Sequence, residues 1–414
     1  MSSDTDVLVI GGGATGAGVA RDLSLRGVDV TLVDRQGLCG GTSGRSHGVL
    51  HSGARYAESD PVGASECIAE NRILRSIAGE CVRDTGGLFV QLSRDDPAYF
   101  DRKYDACRAA DIDAELLDGD EIVRSVPGLS ADVTRAMGVP DGVVNPSRLI
   151  AANAADAERN GATIRPNGPV TDLTVRNGRI AAVRLGGNAP ERIEPEYVVN
   201  AAGAWAGTIA SMAGLDLEMA PTRGVMVSVR YGGLDPVLNR CREPADGDIV
   251  VPQPDRAVLG TTSVPVSDPE TYERADWEIE TCIEECAAML PVVANAEIER
   301  VWWGVRPLYA PDEDGTGRRG ISRGFQLLDH TDRVENVVSI VGGKLTTYRR
   351  MAEATADLVC DRLGVAASCE TADRRLPGAD SPATLERYIE AYDVRGETGK
   401  GDDRSADGEG TNDR

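Results

Sequence analysis

The chain is poor in lysine and histidine, has no closely paired cysteines and contains no long apolar run. Of 414 residues, three are lysine (Lys103, Lys344, Lys400) and three are histidine (His47, His51, His330), so nearly all basic charge is arginine. So few histidines exclude a histidine-rich metal centre, and no metal site is expected. The nine cysteines form no CxxC pair and are odd in number. In a long acidic chain this points to reduced, mostly buried thiols and not to a disulfide frame. Cys282 and Cys286 fall on one helix face, with nothing nearby to complete a metal set, and read as core packing. No apolar stretch approaches the ~20 residues that cross a bilayer. A strand begins within the first ten residues, where a signal peptide would stand. A cytoplasmic chain, soluble or peripheral on a membrane, is expected. An excess of positive charge is also missing: the formal charge is −23. Polyanions are poor partners for such a surface, which excludes nucleic acid and bare anionic membrane. A carboxylate-rich surface suits high salt.

What the chain does have is an opening stretch, Asp6 to Asp34, around which the rest is arranged. Val7 to Ile10 is a continuous apolar run, as a parallel strand buried on both faces requires. Gly11, Gly13 and Gly16 follow in GxGxxG spacing. They serve the tight turn, the close approach of backbone to a pyrophosphate, and close helix–strand packing. Ala14 to Arg26 reads as a helix whose free N–H groups face that pyrophosphate. A second strand, Val28 to Val33, ends in Asp34, placed to accept from a ribose hydroxyl. Strand, turn, helix, strand and acid in that order give the context this motif needs. Spacing alone does not separate FAD from NAD.

The length suggests two domains. After the second strand, Cys39 to Glu58 is rich in Gly, Ser and Thr and holds Arg45, His47, His51 and Arg55 within eleven residues. Small residues allow backbone to approach a flat ring, and an active-site loop is expected here. Helices are expected over Glu66–Cys81, Pro97–Ala110, Asp118–Arg124, Asn145–Arg159 and Trp277–Leu290. Strands are expected over Leu88–Leu92, Asp111–Leu117, Ala162–Pro166, Val170–Val175 and Ile180–Leu185, with an Asn177-Gly178 hairpin between the last two. EYVVNAAG, Glu196 to Gly203, forms a second strand–turn junction. Met219–Arg230 and Asp248–Ser263 suggest an antiparallel sheet. Glu299 to Tyr309 carries Arg306 beside Trp302 and Trp303, and a half-buried arginine needs an anionic partner. After an acidic loop at Pro311–Arg319, the strands Phe325–Asp329 and Val337–Val341 lead to GGKLTTY, a third junction. Its Lys344 adds positive charge at a helix start. A short helix, Thr384–Tyr392, precedes a tail expected to be disordered from about Gly396. The nucleotide-binding pieces lie far apart, so the substrate domain is inserted between them.

With these strings assembled, the chain resembles the FAD-dependent glycerol-3-phosphate dehydrogenases, most closely the flavoprotein A subunits of the anaerobic, quinone-linked complex. The resemblance rests on GGGATGAG, TSGRSHGVLHSGARYA, CRAADI, VPDGVVNPSRL, VVNAAGAWAG, RCREPADGDIVVP, LGTTS, WGVRPL, SRGFQLLDH and GGKLTTYRRMAE, spread over residues 6 to 378. It implies an α/β fold: a Rossmann-like FAD-binding domain of the D-amino-acid-oxidase/glutathione-reductase kind, with an inserted antiparallel-sheet substrate domain. The FAD domain would comprise residues 1–85, 135–215 and 325–378, the substrate domain 86–134 and 216–324, and the short helix and tail 379–414. Cofactor-side positions are Gly11, Gly13, Gly16, Asp34, Arg35, Thr42, Ser43, Arg45, Ser46, Ala201, Gly203, Gly342, Gly343, Lys344, Leu345 and Thr346. By position, the resemblance implies a substrate pocket of Arg55, Tyr56, Arg306, Arg323 and Lys344. Several cations suit a buried phosphate dianion, since arginine binds phosphate bidentately. The implied reaction passes hydride from C2 of glycerol 3-phosphate to FAD, giving dihydroxyacetone phosphate. The alcohol proton must also leave: His51 is the candidate base, and Arg306 could instead polarise that oxygen.

The resemblance further implies partner subunits that carry electrons to quinone and hold the chain on the inner face of the cell membrane. Two departures stand out. Asp34 replaces the family's usual Glu, and no cysteine follows Cys369, where A subunits continue into a cysteine-bearing region. Either electrons exit through a partner, or the chain is a short variant. Two other readings keep the same fold: an FAD oxidase of amino or 2-hydroxy acids, and a non-catalytic electron-transfer flavoprotein. The four cations favour phosphate over both.

Overall fold

The computed structural model describes residues 2–187, 191–310 and 324–397. The strand Ser2–Ile10 is central in an eight-stranded sheet, paired in parallel with Val30–Val33 on one side and Glu191–Asn200 on the other. Thr163–Arg165 extends it beyond Val30–Val33, and Val337–Gly342 runs parallel to the end of Glu191–Asn200. The hairpin of Val170–Arg176 and Arg179–Leu185 closes the sheet's edge, with Asn177 and Gly178 both at positive φ. That is the turn geometry an Asn-Gly pair supplies.

The apolar run at the start is explained by burial on both faces. Val7 and Val9 face the helices Ala14–Leu25, Pro146–Arg159 and Tyr348–Leu363, while Leu8 and Ile10 face the hairpin and the helix Ala206–Met212. Each fully buried side chain of this size contributes roughly 1.5–3 kcal/mol.

A nine-stranded sheet forms the second layer, with strands from 87–92, 115–118, 133–139 and 222–306. It is antiparallel apart from the pairing of Gly87–Leu92 with Val237–Arg240. The strand Val133–Val139 lies in it, so the division expected at residue 134 falls inside a strand. Thr222–Val229 pairs along its whole length with Ile298–Arg306. Their two faces differ: Val225, Val227, Val301 and Trp303 pack on the helix Asp276–Met289, whereas Met226 and Trp302 face the other way. Cys282 and Cys286 are fully buried in the first of these packings, as core residues.

Three local expectations are corrected. The helix expected from Glu66 begins at Pro61 and ends at Ile77. Asp60 caps it by accepting from Gly63 N, with proline at the first position, a start signal in polar residues that hydrophobic spacing does not reveal. The strand expected over Asp111–Leu117 is Glu115–Asp118, because Asp111 takes positive φ in the turn before it. The boundary expected at about Gly396 moves by two residues, since Gly396 and Glu397 are docked and the rest of the tail, from 398, lies outside the described residues. Glu397 N donates to Gly44 O (2.7 Å), Arg395 N to Leu38 O (2.8 Å), and Arg300 Nη1 to Glu397 O (2.9 Å). The acidic loop at 311–319, Arg323 and residues 398–414 lie outside the described residues.

Candidate active site

The three strand–glycine–helix junctions converge on one cleft. Its cavity of about 320 Å³ is lined by Gly11, Gly13, Asp34, Arg35, Thr42, Ser43, Ser46, Ala201, Gly203, Gly342, Gly343, Lys344 and Leu345, among others. Gly16 lies behind this lining and does the packing work: a Cβ there would stand 1.8 Å from Gly11 O. Gly11 itself has φ +112°, and a Cβ on it would meet Ala201 O at 2.5 Å. The strand end at Ala201 can therefore approach the first turn only over bare glycine.

Asp34 lines the cleft, and its carboxylate is already held, accepting from Gly12 N at 2.6 Å and Gln36 N at 2.8 Å. Burial pushes its carboxyl above the ordinary range, against the pull of those backbone donors. Arg35 stacks on Trp205 with its guanidinium 4.2 Å from the ring centroid, and pairs with Glu270 at 2.7 Å. Glu270 also accepts from Trp205 Nε1, tying the second layer to the mouth of the cleft. Arg45 contributes its backbone: its carbonyl accepts from Trp302 Nε1 at 3.2 Å. A Cβ on Gly304 would come within 2.9 Å of that same carbonyl. Thr42 Oγ1 donates to Val305 O at 2.6 Å. The face of Ile298–Arg306 bearing Trp302, Gly304 and Arg306 thus roofs the loop at 42–46.

Of the expected substrate residues, Arg323 lies outside the described residues; Lys344 and Tyr56 pack together beside His51, while Arg55 and Arg306 are held by neighbouring segments of the second sheet. Lys344 Nζ stands 4.5 Å from the centroid of the Tyr56 ring, and that ring meets His51 edge-on at 5.5 Å. His51 is buried; its backbone N–H donates to Thr346 Oγ1 (3.0 Å), and Thr346 is itself fully enclosed. Arg55 pairs with buried Asp248 at 2.7 Å. Burial works against the Arg55 charge, but Asp248, with Tyr56 and Tyr99 beside it, holds the guanidinium above its ordinary value. Lys103 Nζ donates to Arg55 O at 3.3 Å, and burial pushes its own pKa down. On the facing strand, Arg306 Nη2 donates to Thr261 Oγ1 (3.2 Å) and Thr262 O (3.0 Å), and Pro307 lines the cleft. Gly247 N donates to Thr261 O, so Asp248 and Thr261, the holders of the two arginines, are neighbours across one ladder. Five residues in contact here escaped the sequence reading: Trp205, Glu270, Asp248, Thr261 and Thr262. Trp205, Asp248, Thr261 and Thr262 lie in strings that carry the resemblance (VVNAAGAWAG, RCREPADGDIVVP and LGTTS), but the sequence gives no role for them; Glu270 lies in none.

Comparison with known proteins now places the chain. Residues 6–358 match the family described as FAD dependent oxidoreductase. The chain belongs to that family. The A1 subunit of the anaerobic glycerol-3-phosphate dehydrogenase of Haloferax volcanii is 48% identical over 415 residues, covering 97% of this chain and 71% of that protein. The corresponding subunit from Escherichia coli K12 is 42% identical over 397 residues, covering 94% and 73% respectively. Within the family the chain therefore stands with these dehydrogenase flavoproteins. Among solved structures, the FAD-bound L-α-glycerophosphate oxidase of Mycoplasma pneumoniae superposes with TM-score 0.72 at 20% identity, over 91% of this chain and 99% of that one. The FAD complex of a Bacillus halodurans glycerol-3-phosphate dehydrogenase gives 0.70 at 23%, over 94% and 71%. These two establish the shared fold. FAD is the family's cofactor, and the cleft suits it: glycine keeps the backbone open at the pyrophosphate turn, and the cavity continues past three helix starts.

Proposed function

We propose that the chain oxidises sn-glycerol 3-phosphate to dihydroxyacetone phosphate and passes the electrons through partner subunits to quinone. The observation that carries this reading is the set of cations, Lys344 lining the cleft and Arg55 and Arg306 held by segments of the second sheet, in a chain 48% identical to a component of an anaerobic glycerol-3-phosphate dehydrogenase. When bound, FAD supplies the hydride acceptor. Gly11, Gly13, Asp34, Arg35 and the loop at 42–46 would hold its nucleotide portion, and Gly342–Leu345 its reactive end. Arg306 and Lys344, with Arg55, Tyr56 and Arg323, bind the phosphate and orient the alcohol. Arg55 does so while exchanging part of its contact with Asp248. His51 takes the hydroxyl proton. Among the described residues no helix is long and apolar enough to cross a membrane. Attachment to the inner face of the membrane falls to the partner subunits.

The test is reduction without oxygen. Glycerol 3-phosphate should bleach the ~450 nm flavin band of the purified protein, while glycerol and amino acids leave it unchanged. A flavin that stays oxidised with glycerol 3-phosphate would sink the reading. An Arg306→Ala enzyme should keep its FAD but show a steep rise in KM, of order 10²-fold for one lost bidentate charge contact, and a lower kcat.

A further inference from the structure

Arg306 is held by groups that are themselves held, and the chain of contacts runs away from the cleft. Its Nη2 donates to Thr261 Oγ1 and to the carbonyl of Thr262. Thr262 is fully buried and its hydroxyl is committed in both directions: it accepts from Val225 N at 3.1 Å and donates to Glu278 Oε2 at 2.7 Å. Glu278 is fully buried too, in the first turn of the helix Asp276–Met289. Its other oxygen accepts from Arg223 at 2.9 Å (Nε) and 2.8 Å (Nη2). Between Arg223 and Val225, Gly224 leaves the space the arrangement needs. A Cβ there would stand 2.4 Å from both Thr261 Oγ1 and Thr262 O, and 2.9 Å from Arg306 Nη2.

A carboxylate sealed from water needs its charge matched and its lone pairs filled, and Arg223 and Thr262 do both. With its hydroxyl pinned from both sides, Thr262 is anchored next to its own carbonyl, which therefore offers Arg306 a held direction. Arginine has several rotatable bonds, and setting its direction in advance lowers the cost of ordering it around a substrate. We propose that Glu278, acting through Thr262, is a positioning residue for Arg306 and thereby sets the affinity for the phosphorylated substrate. Glu278 touches neither substrate nor cofactor. The inference rests on Arg306 serving glycerol 3-phosphate as proposed above.

A double-mutant cycle on the FAD-loaded protein separates positioning from mere bracing of helix on sheet. KM and kcat for glycerol 3-phosphate are measured for Thr262→Val, Thr262→Ser and Glu278→Gln, alone and with Arg306→Ala, alongside FAD content and melting temperature. Thr262→Val and Glu278→Gln should raise KM about tenfold, the scale of one misdirected charge-assisted hydrogen bond. The fall in kcat should be smaller. Thr262→Ser, which keeps the hydroxyl, should restore KM to within about twofold of the parent. With Arg306→Ala already present, the same changes should shift KM by less than about twofold, since nothing is left to aim. Effects that persist undiminished in the Arg306→Ala background would overturn the inference, as would unchanged KM in both single variants. Should Thr262→Val fail to fold, the near-isosteric Glu278→Gln carries the cycle. Arg306→Ala measured alone tests the underlying assignment: normal kinetics there removes Arg306 from the site, and this proposal with it.

Discussion

At the scale of single residues, the reactive groups and their holders differ in how much the sequence reveals. His51, Arg55, Arg306 and Lys344 are visible because histidine and lysine are scarce in this chain and because each lies in an unusual string. Asp248, Thr261, Thr262 and Glu278 are ordinary residue types in a chain with 67 acidic residues; the first three lie in matching strings, but their type points to no role until their partners are known. Thr261 and Thr262 reach Arg306 only because Thr222–Val229 pairs with Ala257–Gly260 on one side and Ile298–Arg306 on the other, and Asp248 meets Arg55 only across 193 residues of chain. The placement of His51 supports a proton-transfer role, with its backbone pinned to Thr346 and its ring braced edge-on against Tyr56. His51→Ala should slow flavin reduction by glycerol 3-phosphate about 10²–10⁴-fold, the range for a lost general base, with FAD retained. Stopped-flow absorbance checks this. An unchanged rate would leave the oxygen to Arg306 as polarising group.

Among elements, the long regular ones were legible and their boundaries less so. Pro97–Ala109 and Pro146–Arg159 begin with a capping Asp or Asn followed by proline, and the sequence reading places both starts correctly. The helix at Pro61–Ile77 has the same signal, but its first turn (Pro61 to Ala64) holds only small residues and an exposed valine, and the apolar spacing shows only later. The segment after the helix Pro382–Ala391 is the largest surprise, because a Gly- and Glu-containing stretch reads as solvent-exposed chain. It docks instead on the cofactor loop: Gly396 lies where a Cβ would meet Ser147 Oγ at 2.1 Å and Cys39 Sγ at 3.4 Å. An ion pair between Arg300 and Glu397 adds the second sheet to that contact. Truncation after Tyr392 should therefore loosen the loop at 37–46 and raise the FAD dissociation constant, by about 5–50-fold for two or three lost hydrogen bonds. Fluorescence titration of the apoprotein with FAD measures it, and an unaltered constant would mean that the docking does not steady the loop.

Over the whole molecule, burial governs the thiols. Eight of the nine cysteines are buried, and Cys369 is half-buried. A thiol that ionises near 9.0 is pushed up to about 12 by burial at Cys39, Cys67, Cys81, Cys107, Cys241 and Cys282. Each folded value lies above the unfolded one, so the native state holds these protons longer. The stabilisation they give is complete below about pH 9 and disappears as pH rises towards 12. The melting temperature should accordingly drop between about pH 9 and 11, more steeply than carboxylates and arginines alone would require. In the native protein at neutral pH, a thiol reagent should modify Cys369 first, with the other eight reacting only after unfolding. Rapid native labelling of several cysteines would contradict the packing.

By itself the sequence determined the fold class and a dinucleotide cleft, while FAD and the candidate cations came with the family resemblance. Fold and cleft depend on local matters, namely which face of a strand is buried and where glycine permits a turn, whereas the resemblance rests on long strings that match a known family. The tertiary structure alone decided which acceptors hold those cations, and that the chain's last described residues brace the cofactor loop. Both depend on partners far apart in sequence (Arg55 and Asp248, Arg306 and Thr262, Gly44 and Glu397). Local propensity says nothing about a contact that exists only once two sheets have closed on each other.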